Sequence, residues 1–283
     1  MKKGDILKNK LKIIVHNEEV GLGANIFRMF AHLLKLKKNE IVYFDVKNIY
    51  YHNKGNAWDI FFYQPFCAYL NIIKSKIKNK AFDKIKWNEE TQWNINYIAK
   101  NEKHNIYNKK LINNYRSIFK RFIKFKPLIK KFYIKTLKKI SNKNILSINI
   151  RATDRFNDLR NMDMQNKLQY ESLIISYLKK KKCKKILLCT DSKQILDRYK
   201  KKFGSKIISN STILSNDNRS IHKSNIYQSD KFKFKLGAEA ISDAILMSRC
   251  KFNLFMHSNI SYLAVMLRND FNYKFIDDSF SYK

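Results

Sequence analysis

Arg151 and Asp154 stand directly after an apolar run, and an arginine with a carboxylate nearby at the end of a buried strand can hold an anion. The run, Ile145 to Ile150, has strand length and is rich in β-branched residues. Open α/β folds bind ligands at the carboxyl ends of their strands, so Arg151 is placed to meet one. A guanidinium stays charged and forks onto phosphate oxygens through paired hydrogen bonds. Asp154 could hold that fork in one orientation, although an ordinary strand-end ion pair accounts for the same two residues. Thr190-Asp191-Ser192 closes a second apolar run, Lys185 to Cys189. An acidic group there can accept hydrogen bonds from a ribose or base, or it can cap the following helix, and Asp191 and Ser192 are both capable of the cap.

Two further clusters lie near the C-terminus. Gly237 to Cys250 reads as a mostly apolar helix, in which Asp243 has Ala240, Leu246 and Met247 as its three- and four-residue neighbours. Its carboxylate therefore faces the interior, where an unpaired charge would be costly, so a donor must meet it. Glu239 is one turn back. His257-Ser258-Asn259-Ile260-Ser261 opens the final helix, and hydroxyl and amide side chains beside free backbone N–H groups suit a phosphate or serve as a simple cap. Near the N-terminus, Val20-Gly21-Leu22-Gly23-Ala24-Asn25 joins the strand Leu11–His16 to a helical stretch from Ile26 to Leu36. The chain has six glycines, so two of them two residues apart suggest a backbone that turns tightly or approaches a ligand. The third glycine of a dinucleotide fingerprint is missing, and Asp45 could be a strand-end cap as readily as a ribose ligand.

The elements that must position these groups are clearest in the C-terminal half. A strand from Ile145, a helix over Leu168 to Leu178, a strand over Lys185 to Cys189, a helix over Lys193 to Phe203 capped by Gly204, and a strand over Lys206 to Ile208 follow in turn. That β-α-β-α-β order predicts a parallel sheet. Lys251 to His257 reads as another strand, and Ser209 to Lys235 as a long polar loop, a lid or a disordered segment, in which Arg219 and His222 could reach phosphate. In the N-terminal half, Glu40 to Val46 is a second strand. The segment from Tyr50 to Phe62 mixes aromatic and polar residues, as a sugar-binding loop would, or as a cluster sealing a domain edge would. From Asn71 to Asn144 the pattern is helical and lysine-rich. Its apolar positions, Phe119 and Ile123 through Ile129 to Ile140, could lie on an anionic membrane or pack on the core.

Composition bounds the class. With 283 residues, 45% hydrophobic and 14% aromatic, the chain can bury a sizeable core, and disorder throughout is excluded. A net charge of +35 suggests polyanionic partners, and a basic nucleic-acid-binding protein is the alternative that charge supports. The lysines are spread along the whole chain, as general basicity of a solvated surface would have them. Cys67, Cys183, Cys189 and Cys250 have no CxxC spacing, which fits a reducing compartment. No segment approaches the roughly 20 apolar residues of a membrane span, so a cytoplasmic protein is expected, with any contact on the inner membrane face peripheral.

Taken together, the motifs resemble the fucosyltransferases. The segment Asn149 to Asp154 is similar to the histidine-x-arginine-arginine-threonine-aspartate motif of the α1,6-fucosyltransferases and nodulation-type chitooligosaccharide fucosyltransferases, and more distantly to the α1,2- and protein O-fucosyltransferases. Asn149 stands at the histidine position and Ala152 at the second arginine. The resemblance implies that Arg151 binds the β-phosphate of GDP-fucose. Thr190-Asp191 resembles the alanine-threonine-aspartate-aspartate motif, which implies a nucleoside contact for Asp191. The block from Gly237 through Ser261 resembles the third conserved region, implying that Asp243 supports the nucleotide pocket and that Ser258, Asn259 and Ser261 contact the diphosphate. Gly21, Gly23 and Asn25 resemble the glycine-rich first loop and would line the donor cleft. A glutamate of the α1,6 enzymes falls at Leu159, and Asp158 beside it is the available general base.

The fold implied is α/β and GT-B-like, with two Rossmann-like halves around a cleft: an acceptor-side region over residues 1–144 and a nucleotide-sugar-binding domain over 145–283. The activity implied is inverting transfer from a GDP-sugar, of fucose or a related deoxysugar or heptose, to a glycan or lipid-linked glycan. Bacterial-type surface polysaccharide or oligosaccharide synthesis is the setting it suggests. No cofactor, metal or nucleic-acid partner is expected under this reading.

Overall fold

In the structure, a computed structural model, the described residues are 9–17, 20–47, 50–51, 55–86, 109–141, 144–151, 164–216, 221, 229–256 and 258–275. The chain divides into two compact units, Met1–Pro127 and Leu128–Lys283.

The first unit opens with β1 (Lys10–His16), α1 (Leu22–Leu34) and β2 (Glu40–Val46), in which β2 pairs parallel to β1. Four short elements follow, α2 (Ala57–Phe61), β3 (Phe62–Tyr63), α3 (Leu70–Lys78) and β4 (Asp83–Lys86); then come α4 (Lys109–Phe122) and β5 (Lys124–Phe125). β4 pairs parallel to β1 on the side away from β2, giving the order β2-β1-β4, while β3 and β5 form an antiparallel pair. The strands β4 and β5 correct the reading of 71–144 as helical throughout. An Asp-Lys-Ile-Lys edge strand carries one apolar residue, so hydrophobic pattern gives it no signature.

α1 and α4 meet through aromatic rings, Phe119 lying 5.3 Å from Phe30 and 6.3 Å from Phe27 between centroids. The aromatic segment after β2 is core: Tyr51, Trp58, Phe61 and Phe62 are all at most 3% exposed. It also finishes the sheet. β2 is an edge strand, and edges leave backbone groups unpaired. Here Gln64 accepts from the Phe44 N–H at 2.9 Å and returns a bond to the Phe44 carbonyl at 2.9 Å, while Asn56 accepts from the Val46 N–H at 3.0 Å. Of the two readings of this loop, its described residues, 50–51 and 55–62, fit the sealed domain edge.

The second unit contains α5 (Ile134–Ile140), β6 (Ile145–Ile150), α6 (Met164–Lys180), β7 (Lys185–Thr190), α7 (Lys193–Phe203), β8 (Ile207–Ile208), α8 (Asp230–Arg249), β9 (Phe252–Phe255), α9 (Asn259–Leu267) and β10 (Tyr273–Phe275). Its five strands run parallel in the order β10-β9-β6-β7-β8. All six residues of β6 are buried, as expected of a central strand covered on both faces. α5 packs on α8, so the second unit begins before the boundary expected at residue 145. The apolar face over 119–140 turns inward, with Phe119, Ile123, Ile129 and Ile140 at most 3% exposed. Among the described residues, no helix is long and apolar enough to cross a membrane.

Candidate active site

Asn149, Arg151, Asp191, Ser258 and Ser261 gather where the second sheet reverses direction. From β6 the chain builds outward to β7 and β8, then returns to lay β9 and β10 on the other side. The reversal between β6 and β9 is a topological switch point, outside which open α/β sheets take their ligands.

Asn149, next to last in β6 and 2% exposed, reaches across that point. Its Oδ1 accepts from the hydroxyls of Ser258 and Ser261, both at 3.0 Å, and the two hydroxyls are themselves 3.0 Å apart. Ser258 is the N-cap of α9, its Oγ accepting from the Ser261 N–H at 3.1 Å and its carbonyl from the Tyr262 N–H at 3.0 Å. The N–H groups of Asn259 and Ile260 have no acceptor among the described residues, so a helix N-terminus with two open donors lies beside the end of β6. With Oδ1 fixed on the serines, Nδ2 of Asn149 turns away from them.

Two residues on, Arg151 pairs with Asp191 at the end of β7, Nε to Oδ2 at 2.7 Å. Their side chains are 21% and 15% exposed, which leaves the pair anchored yet reachable. The cap of α7 is Ser192, whose Oγ accepts from the Ile195 N–H at 3.3 Å, while the Asp191 carboxylate meets Arg151.

Asp243 lies behind β7. Ser211 donates to its Oδ2 at 2.6 Å and Asn210 to its Oδ1 at 3.5 Å; Cys189 of β7 also bonds to it. Burial pushes its carboxyl up to about 7, a rise that the nearby Glu239 charge reinforces and these donors oppose. Glu239 accepts from Thr212 Oγ1 at 2.6 Å, from the Thr212 N–H at 2.9 Å and from the Ile213 N–H at 3.1 Å. The donors that Asp243 demanded are thus Asn210 and Ser211, in a polar run that the sequence reading had merged into a long loop. Their position just past β8, the same strand-end placement that singled out Arg151, was the signal available. Asp154, Asp158, Leu159, Arg219, His222 and His257 lie outside the described residues.

Gly21, Gly23 and Asn25 belong to the first unit. β1 there lies between β2 and β4, so its carboxyl end is also a switch point. Gly21 has φ −58° and ψ 149°, a conformation open to any residue, so a tight turn does not explain this glycine. The Leu22 N–H donates to Tyr51 Oη at 3.0 Å. Asn25 is 2% exposed, and neither its Oδ1 nor its Nδ2 is hydrogen-bonded. At the end of β1, His16 Nε2 is 2.7 Å from Arg28 Nη1; a guanidinium only donates, so Nε2 is the unprotonated nitrogen. Among the described residues no three His, Cys, Asp or Glu side chains gather as a metal site would need.

No protein-family model matches the chain, and no curated protein is significantly similar to it in sequence. Solved structures do match. The fucosyltransferase NodZ from Bradyrhizobium superposes with a TM-score of 0.55 at 14% identity, over 92% of this chain and 94% of its own. A structure of NodZ α1,6-fucosyltransferase soaked with GDP-fucose gives 0.53 at 14% identity, over 92% and 93%. A variant of Arabidopsis thaliana FUT1 in complex with GDP gives 0.51 at 11% identity, over 92% and 68%. POFUT1 in complex with GDP gives 0.51 at 9% identity, over 95% and 99%. The fold is that of the fucosyltransferases. On this fucosyltransferase fold, which agrees with the GT-B-like α/β architecture expected, Arg151, Asn149 and the α9 N-terminus cluster at the switch point of the second parallel sheet.

Proposed function

We propose that the protein is an inverting glycosyltransferase that moves fucose, or a related deoxysugar or heptose, from a GDP-sugar to a glycan acceptor. The observation that carries this reading is Arg151, tied to Asp191 at 2.7 Å beside the open N–H groups of α9. Departure of GDP from an oxocarbenium-like transition state builds negative charge on the β-phosphate. An oriented guanidinium and a helix N-terminus stabilise that charge with donors already in place. In this reading Arg151 forks onto the diphosphate, Asn259 and the α9 N–H groups take its other oxygens, and Ser258 and Ser261 act through Asn149, whose Nδ2 donates where the resembled families use histidine. Asp191 and Asp243 bound the nucleoside side. Asp154 orients the arginine, Asp158 takes the proton of the acceptor hydroxyl, and no resident metal is required. In the first unit, Gly21, Gly23 and Asn25 offer a ligand contact of their own at the end of β1. Four free cysteines accord with a cytoplasmic setting.

The test is ligand stabilisation followed by transfer. Ligand at ~100 times its Kd adds about 2.7 kcal/mol of stability, so a melting shift with GDP, absent with UDP and ADP and persisting at moderate salt, is the expected result. Arg151→Ala should then lower transfer from GDP-sugars by roughly 10²–10³-fold while its melting without ligand stays near that of the parent. A shift with a short RNA that salt abolishes, and none with GDP, would overturn the reading in favour of nucleic-acid binding.

A further inference from the structure

The second unit holds a cavity remote from the switch point. It measures about 470 Å³ and is lined by Lys139 of α5, Lys185 of β7, Lys200 of α7 and the stretch Ile207-Ile208-Ser209 at β8. β8 is the outer strand of the sheet and pairs with residues 186–187, the amino end of β7. Lys185 opens the strand that Thr190 closes, and five residues at about 3.3 Å each separate the two ends by roughly 16 Å.

Lysine residues from three elements line this cavity, and among the described residues no carboxylate does. Two acids on the helices of this unit are engaged with other bases: Glu171 with Arg198 at 2.7 Å and with Lys202, and Asp197 with Lys193 at 3.0 Å. Lys185 donates to the Ser205 carbonyl at 3.3 Å, a neutral acceptor. Lys139 and Lys200 have no partner among the described residues. Lysines guarding an open strand edge would serve as well spread along it. Here they surround a hollow whose volume is that of a small-molecule site, with two half-buried isoleucines in its wall.

We propose that this cavity is a second anion site, separate from the donor site, that takes a phosphate group carried on a small organic body. Lysines bind phosphate as point charges from several directions, and the isoleucines would pack against the attached carbon skeleton. That chemistry is shared by a soluble phosphorylated metabolite and by the headgroup of an anionic lipid.

The test uses the full chain carrying Arg151→Ala, which removes the arginine from the switch point, with glycerol phosphate as the soluble probe and vesicles of phosphatidylglycerol in phosphatidylcholine as the surface. Lys139→Gln, Lys185→Gln and Lys200→Gln are combined in one variant; Lys74→Gln, Lys78→Gln and Lys80→Gln, on exposed positions of the first unit, form the charge-matched control. Calorimetric binding of glycerol phosphate that the cavity variant weakens roughly tenfold or more, and the control does not, supports the site and assigns it to soluble phosphates. Sedimentation with the anionic vesicles alone, lost in the cavity variant and kept in the control, supports it and assigns it to headgroups. Equal losses in the two variants, no loss in the cavity variant, or no binding to either probe overturns the proposal.

Discussion

The two strand-to-helix turns at the switch points are built alike and finished differently. Each lies at the carboxyl end of a parallel strand where a helix begins, and a buried asparagine stands by each helix start: Asn25 within α1 itself, and Asn149 on β6, the strand beside the one that leads into α9. In the second unit Asn149 is saturated on its oxygen by Ser258 and Ser261, and Ser258 caps α9. In the first unit α1 begins at Gly21 without a side-chain cap, and both polar atoms of Asn25 are unbonded. A buried amide with no partner costs free energy that a ligand could recover, whereas a triangle of three buried groups is complete on its own. The second turn is therefore complete within the chain, and the first leaves a buried amide unbonded.

Removing the two asparagines separates these descriptions most sharply. Asn149→Ala strips the acceptor from two buried hydroxyls, and a cost of about 2–3 kcal/mol is expected in chemical denaturation. Asn25→Leu should go the other way, leaving stability unchanged or raising it by about 1 kcal/mol, because the amide loses no hydrogen bond. The same Asn25→Leu substitution should weaken the GDP-induced melting shift. If both substitutions cost the same, the contrast between the turns is wrong; if Asn25→Leu leaves ligand binding intact, the amide has no ligand role.

The units also differ in how pH acts on them. His32 on α1 is pulled down to about 4 from 6.5, by burial first and then by Lys35 and Lys12. A histidine kept neutral by folding contributes stability that is present above 6.5 and lost as pH falls toward 4. Asp243 is the reverse case, since the folded state holds its proton up to about 7 while the unfolded chain releases it near 3.8. Its contribution is present below 3.8 and lost as pH rises toward 7. His32→Leu should flatten the acid side of a stability–pH profile, and Asp243→Asn should flatten the rise-driven loss and stabilise the protein at alkaline pH. An Asp243→Asn profile parallel to the parent's would mean that the carboxyl is ionised throughout.

What the sequence made legible follows from where burial is complete. Mostly buried strands read as apolar runs, so Ile145–Ile150, buried throughout, and Glu40–Val46, buried but for Tyr43 and Asp45, were found with the bounds observed. Helix Lys193–Phe203 was found with its cap, Gly204 sitting at φ +56° where a side chain is strained. The order of motifs then placed Arg151, Asp191 and the Ser258 turn at one end of one sheet. Contacts across the fold were another matter. Asn149 and Ser258 are 109 residues apart, and no periodicity relates a strand amide to a distant cap. The same holds for Glu239, which clamps Thr212 and Ile213, and for Gln64 and Asn56, which finish the edge of β2 with side-chain amides.

Gly21 is the finest probe of the contrast, and its expected effect on folding is the smallest. Its backbone is in a conformation that alanine adopts freely, and a Cβ built there would meet only Tyr51 Oη, at 3.9 Å, an ordinary contact. Gly21→Ala should change stability by less than about 0.5 kcal/mol, and reduced unfolded-state freedom could make the change favourable. If the first turn is finished by a ligand that approaches its backbone closely, the methyl group occupies that approach, and the GDP-induced melting shift should fall although the unliganded protein melts as before. Equal ligand shifts in the two proteins would leave Asn25 as the turn's contribution to binding and remove Gly21 from it.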